Sequence, residues 1–237
     1  MNRLELVARS DRLVVLAKPS GVLVIPGRMS EGALSLKEQL AAHLGMPVFV
    51  VHRLDRETTG LVVFALDAGT HRALSMAFEA GQVRKQYLAL VQGKLEGVQD
   101  VHAALVPARR GRSRVVRPEE VGKAAHTRLT PVEALRNATL VLAEPMTGRT
   151  HQIRVHLLSV GHPLLVDPQY GQPEFRDANS LCEGAGPDRV LVRTPLHAAR
   201  LEWPALPGLD AASFECSVPA DIQRAVTLLR TERAEVS

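Results

Sequence analysis

The decapeptide Val51-His52-Arg53-Leu54-Asp55-Arg56-Glu57-Thr58-Thr59-Gly60 holds one carboxylate, Asp55, between two arginines, after an apolar run and just before a glycine. Neighbouring guanidinium groups favour the ionised carboxyl, so Asp55 is expected as a charged nucleophile or base at neutral pH. The plain alternative is a solvated Arg/Asp/Glu cluster on a surface turn. A glycosidase-type pair of Asp55 with Glu57 fits poorly, because one of the two carboxyls would have to stay protonated among arginines. Sugar chemistry also needs aromatic platforms, and aromatic residues make up only 3% of the chain.

Other candidates are spread along the sequence. Tyr87 falls two residues after Lys85 on a strand-like stretch. His52, His151 and His156 invite a metal reading. However, His151 and His156 are five apart, off the spacing that puts two ligands on one helical face, and no suitable Cys or carboxylate partner stands nearby. No metal is expected, and these histidines are read as hydrogen-bonding residues. Arg109, Arg110, Arg112, Arg114 and Arg117 form a basic run without interleaved aromatics. Such a run suits a phosphate-contacting loop or hairpin edge, or else a solvated turn, rather than a base-stacking platform.

The elements that must position these residues are short. Phe49 to Val51 reads as a buried strand and Leu61 to Ala65 as another, which mounts Asp55 on a turn between two rigid elements. Leu13 to Ala17, Val83 to Val91, Thr127 to Val132 and Thr139 to Ala143 also read as strands, the last two joined through residues 135–138. Helices are expected over Ser35 to Leu44, Ala68 to Glu79, and from a Thr150 cap to Val160; a last one is capped by Asp221 and frays over 231–237. Residues 172–187 read as an exposed loop. Strands outnumber helices and connections are short, so the expectation is a single α+β domain over 1–237, with a mixed, mainly antiparallel sheet, flanking helices and a central basic cleft.

Composition sets the outer bounds. The net charge is +4, and of 29 basic residues 24 are arginine, the side chain suited to bidentate phosphate contacts, although a coding bias towards Arg explains part of that ratio. Cys182 and Cys216 are isolated, which argues against zinc and disulfide frameworks and fits a reducing cytoplasm. The first residues lack a signal-peptide core, and no stretch approaches the ~18 apolar residues of a membrane span.

Taken in order, the motifs resemble those of the RluA-type pseudouridine synthases. The decapeptide is similar to their HRLD signature, Lys18-Pro19-Ser20-Gly21 to an early turn, and Lys85-Gln86-Tyr87 to a Lys-x-Tyr strand. Gly148-Arg149-Thr150-His151-Gln152-Ile153-Arg154-Val155-His156 resembles a second long signature. Gly161-His162-Pro163, Asp167-Pro168, Tyr170-Gly171 and Leu196-His197-Ala198 complete the set. The resemblance implies isomerisation of uridine to pseudouridine in structured rRNA or tRNA: the uracil is detached, turned and rejoined through carbon 5, with no cofactor, metal or second substrate. Whether Asp55 attacks the sugar, attacks the base or removes a ribose proton stays open. The resemblance further implies that Tyr87 stacks on the base, its hydroxyl being a candidate base, and that Leu196 packs on the uracil. It implies that Arg154 pairs with Asp55, that Lys85 places a phosphate or supports Asp55, and that Arg149 meets backbone phosphate. Arg53 would fill the space a flipped base vacates. A compact, monomeric enzyme without an added RNA-binding module is expected. The competing class is a non-catalytic RNA-binding or ribosome-assembly factor on the same fold, for which Asn at position 55 would have been the sign; an N-glycosidase would instead leave an abasic site. Departures are Thr59 for the usual Ser, Val166 for a common Gly, and Glu202-Trp203-Pro204 after the LHA motif.

Overall fold

Ser35 caps helix α1 (Leu36–Leu44) with its hydroxyl while Glu38 returns to the Ser35 backbone, and Gly45 closes the helix at φ 67°. This reciprocal cap and left-handed stop are local, so the expected helix forms where its sequence signals lie. The computed structural model describes residues 4–27, 33–106, 112–116, 120–171 and 191–231. They fall into two compact units, one of Met1–Lys85 with Ala198–Ser217, the other of Gln86–His197 with Val218–Ser237. The fold is α+β with a mixed sheet and few helices.

In the first unit, β1 (Glu5–Arg9), β2 (Leu13–Lys18) and β4 (Thr59–Ala65) pair antiparallel in that order. Strand β3 pairs antiparallel with β4 through Phe49 and Val50. It covers only those two residues, and Phe49 is 36% exposed, its ring against His71, so the expected buried strand is a short, partly open one. Asp67 caps α2 (Ala68–Glu79), which turns Leu74 and Ala77 inward onto Leu13, Val15, Leu61 and Val63. Strand β12 (Ala212–Glu215) pairs antiparallel with Arg200–Trp203 of β11 (Leu196–Trp203).

In the second unit, β5 (Arg84–Gln92) pairs through Tyr87–Gln92 with β10 (Ala138–Pro145), followed by β9 (Thr127–Leu135) and β6 (Gln99–Val101), all antiparallel. The hairpin between β9 and β10 is tighter than expected, because Asn137 adopts φ 49°, a left-handed position that its short polar side chain tolerates. A separate ribbon joins β7 (Leu105–Val106) to β8 (Arg114–Val115). Helix α3 (Gln152–Ser159) sets Ile153 and Leu157 against Ala89, Val91, Leu129 and Val141. Helix α4 (Ala220–Thr231) packs Ile222, Ala225 and Leu229 on Leu90, Leu135 and Leu165. It starts at Ala220, so Asp221 is a first-turn residue rather than the cap; its carboxylate accepts the Ile222 N–H and both Nε and Nη2 of the buried Arg193. The 172–187 loop lies outside the described residues, as do 232–237 of the expected tail.

Candidate active site

After Val50 the chain leaves the sheet until Thr59, and half-buried Asp55 lies in that excursion. His52 holds its start: the Val63 N–H donates to His52 Nε2 at 3.2 Å, so the ring replaces the strand carbonyl that β3 no longer offers. The ring stacks on Phe78 at 4.7 Å. Burial, helped by the Lys85 charge, pushes the imidazole down to about 3. His52 is therefore neutral, with its proton on Nδ1.

A clamp holds the other end. Lys18 is 1% exposed, and its Nζ donates to the carbonyls of Pro19, Val22 and Arg56, each at 2.8 Å. A buried ammonium is tolerated when its donors are satisfied, and three carbonyls match its three N–H groups. The Gly21 N–H also donates to the Arg56 carbonyl, Arg56 Nε donates to the Gly21 carbonyl, and Ser20 Oγ donates to Glu57 Oε2 at 2.8 Å. The Lys18-Pro19-Ser20-Gly21 motif thus grips the two residues that follow Asp55.

Lys85 shares this neighbourhood. It is 9% exposed, burial lowers its ammonium to about 8, and its Nζ lies 6.0 Å from the centre of the Phe78 ring that His52 also stacks on. Arg53 is exposed.

The second signature builds the other unit. Tyr87 packs against a buried cluster that contains Ile153 and Leu196. Arg154 is buried; its Nε and Nη2 donate to the two Asp167 oxygens at 2.7 and 2.8 Å, and Nη2 also reaches Gln169 Oε1. Within its own unit the carboxylate partner of Arg154 is therefore Asp167, thirteen residues later. Only its place in a motif had marked that residue. Val166, beside it, belongs to the buried cluster under α4.

Thr150 does not cap α3. The N-cap is His151 at φ 55°, which makes no side-chain cap bond. Gln152 does the work: its Oε1 accepts the Arg149 N–H and the Thr147 hydroxyl, and its Nε2 donates to His126 O and Thr127 Oγ1. Thr127 then donates to His156 Nδ1 at 2.8 Å, which leaves His156 Nε2–H for the Ala103 carbonyl at 3.0 Å. Burial lowers the His156 pKa, consistent with this neutral form. The signature's histidine and glutamine are hydrogen-bonding rivets between α3 and β9.

Arg149 is exposed at the entry to α3 and donates from Nε to Ala124 O at 3.0 Å. In the basic run, Arg114 is paired in bidentate fashion with Glu120, and Arg112 lies over the Tyr170 ring. Arg109, Arg110 and Arg117 lie outside the described residues. A group missed in the sequence is Asp100, His102 and His126, whose ligand-type atoms lie within 4.8 Å of one another. His126 Nε2 is 3.1 Å from Asp100 Oδ1, and Arg128 donates to the other Asp100 oxygen. The His102 and His126 rings stack at 3.8 Å and 18°, so their in-plane lone pairs run side by side rather than converging on a shared ion.

The sequence profile of the family described as RNA pseudouridylate synthase matches residues 12–159, the stretch that holds Asp55, Tyr87 and Arg154. The ribosomal large subunit pseudouridine synthase D of Nitrosomonas europaea is 36% identical over 96% of this chain and 65% of its own length. The corresponding synthase C of Haemophilus influenzae is 37% identical over 97% of this chain and 70% of its own, and that of Escherichia coli K12 is 36% identical over 94% and 69%. The chain thus spans 65 to 70% of the length of these relatives. Among solved structures, human RNA pseudouridylate synthase domain containing 4 superposes with a TM-score of 0.75 at 25% identity, over 95% of this chain and 92% of that one. The human domain containing 1 gives 0.72 at 26% identity, over 91% and 83%.

Proposed function

The chain belongs to the RNA pseudouridylate synthase family, of the RluA type, and from that premise we propose that it converts uridine to pseudouridine in RNA of the large ribosomal subunit, in the cytoplasm, with Asp55 as the essential carboxylate. The observation that carries this reading is the mounting of Asp55. It is half-buried on an excursion held by the neutral His52 at one end and by Lys18 and Gly21 at the other. A carboxylate held this way spends little free energy on ordering when substrate arrives. The reaction is an isomerisation: the glycosidic bond from ribose to the base nitrogen breaks, a bond to carbon 5 forms, and the carbon 5 proton leaves to solvent while the nitrogen regains one.

The remaining roles follow the chemistry each side chain offers. Tyr87 and Leu196 give the uracil an aromatic and an aliphatic face, and Tyr87 Oη is a candidate base at carbon 5. Exposed Arg53 takes the gap left in the RNA stack, and exposed Arg149 meets a phosphate at the mouth of α3. Lys85 supplies a partly desolvated positive charge, and Arg154, oriented by Asp167, a second one. Arg112 and Arg114, with Arg109 and Arg110, contact phosphate. Residues 1–237 act as one catalytic domain.

The test is tritium release from RNA labelled at carbon 5 of uridine and prepared from cells lacking the gene, with Asp55→Ala beside the wild type. Release from large-subunit rRNA by the wild type alone is expected. Release from tRNA instead moves the substrate, and tight binding of both RNAs without release favours a non-catalytic RNA-binding factor.

A further inference from the structure

The chain has two tyrosines, and the reaction above uses only Tyr87. Tyr170 is 4% exposed and sits in a turn that leaves its ring little freedom. Asp167 Oδ1 accepts the N–H groups of Gln169 and Tyr170 at 2.9 and 3.1 Å, and the Asp167 carbonyl accepts that of Gly171 at 2.8 Å. A β-carbon on Gly171 would stand 2.6 Å from the Asp167 carbonyl oxygen, so the turn closes only with glycine there. The same Asp167 carboxylate binds Arg154.

Two arginines lie over the Tyr170 ring, Arg154 with its guanidinium carbon 4.9 Å from the centre and Arg112 at 5.5 Å. Both distances fall within the range where a ring face attracts a cation. The hydroxyl connects two further segments. It accepts the N–H of buried Ser113 at 2.7 Å, and it lies within hydrogen-bonding distance of His151 Nδ1, at 2.9 Å. Beneath, the ring packs with Leu105, Ala125 and Val155. One side chain therefore joins the basic ribbon of β7 and β8, the first residue before α3, and the guanidinium at mid-α3.

We propose that Tyr170 is a positioning residue that couples the basic ribbon to α3, so that RNA phosphate engaged through Arg112 and the orientation of Arg154 are set together. The division of labour follows from the contacts. The hydroxyl holds Ser113 and so the ribbon, which governs RNA affinity, and the ring steadies Arg154, which governs turnover. Burial raises the phenol's pKa, so it remains a donor throughout the neutral range.

This inference rests on the proposed RNA substrate, and the test separates the two. Single-turnover tritium release and filter binding are measured on a large-subunit rRNA transcript for wild type, Tyr170→Phe and Tyr170→Leu, together with amide hydrogen exchange of the free proteins. Tyr170→Phe keeps the ring and strands one buried donor, so exchange at Ser113 accelerates and RNA affinity falls about tenfold with the rate at saturation within twofold of wild type. Tyr170→Leu loses affinity and lowers the saturating rate as well. A general loss of structure would move both quantities together in both variants. The proposal is overturned if Tyr170→Phe binds as wild type does, if its affinity and saturating rate fall in equal proportion, or if Ser113 exchange is unchanged. Should the wild type bind the transcript without releasing tritium, the proposed activity fails while the binding and exchange arms still decide the coupling.

Discussion

A β-carbon on Gly60 would lie 2.2 Å from the carbonyl oxygen of Ala198, closer than any packed pair of such atoms allows, and Gly60 also takes φ 108°. The glycine that ends the Asp55 decapeptide is therefore demanded by the Ala198 backbone of the LHA motif. Gly60→Ala must both strain the backbone and push that segment away. A loss of about 3 kcal/mol is expected, read as a lower denaturant midpoint at unchanged slope. A midpoint within experimental scatter of wild type would refute the close approach.

Lys18 offers a second handle on the same loop. Lys18→Met keeps the stem but withdraws the donor from three carbonyls, one of them that of Arg56. Withdrawing a charged donor from part-buried carbonyls costs about 1 kcal/mol or more each before relaxation, although the Arg56 carbonyl keeps the Gly21 N–H. The variant is expected to lose stability and, because the Arg56 backbone adjoins Asp55, to lower the saturating rate at least tenfold with RNA affinity little changed. Equal losses in rate and affinity would remove the positioning role.

Legibility in the sequence followed the range of the interactions. Helices α1 and α2 carry their caps within four residues, at Ser35 with Glu38 and at Asp67; the sequence pattern matches the bounds of α2 and differs at α1 only in placing Ser35 inside the helix rather than at its cap. The start of α3 is not legible at Thr150, because Gln152 resolves it with partners at His126 and Thr127, far off in sequence. Arg154 was recognised, but its bond to Asp167 requires the chain to return after α3. Tyr170 was visible as a motif residue, and nothing local announced that Ser113, His151 and two arginines meet on it. The strands β6, β7 and β8 are too short, at two or three residues, to show a period.

His52 makes stability sensitive to acid. Its folded-state pKa is pushed to about 3 against 6.5 for the free side chain. Both states are neutral above pH 7. Below pH 6.5 the unfolded chain takes up a proton that the folded one refuses, so stability falls progressively down to about pH 3, by up to about 4 kcal/mol. His52→Gln keeps an acceptor for the Val63 N–H and cannot titrate. Its unfolding free energy should decline less steeply between pH 6.5 and 4, and parallel curves for the two proteins would contradict the half-buried neutral ring.

Lys85 acts at the other end of the pH scale. Burial brings its ammonium down to about 8, so it carries its charge below that value and loses it as pH rises through it. If that charge supports the substrate phosphate or the active carboxylate, single-turnover rates fall above pH 8. Lys85→Arg, charged throughout, abolishes that limb even if its rate at pH 7 is lower. A wild-type profile that stays level to pH 9.5 would exclude a working charge at Lys85.

Arg154 and Asp167 should behave as one group. The pair is bidentate and nearly excluded from water, with side-chain exposures of 7% and 0%. Taking the guanidinium away leaves the Asp167 carboxylate buried with only neutral N–H donors, at about 3–5 kcal/mol. Arg154→Met is expected to lose that much, Asp167→Leu to lose stability also through the Gln169 and Tyr170 N–H groups it leaves without their acceptor, and the double variant to lose less than the sum of the two. Turnover separates stability from chemistry. The double variant folds but lacks activity, since the apolar pair no longer presents a cation on α3, whereas Arg154→Lys keeps the charge, loses the fork and falls between. Recovery of turnover by the double variant would show that the guanidinium serves the fold alone, and additive stability losses would show that the two side chains do not depend on each other.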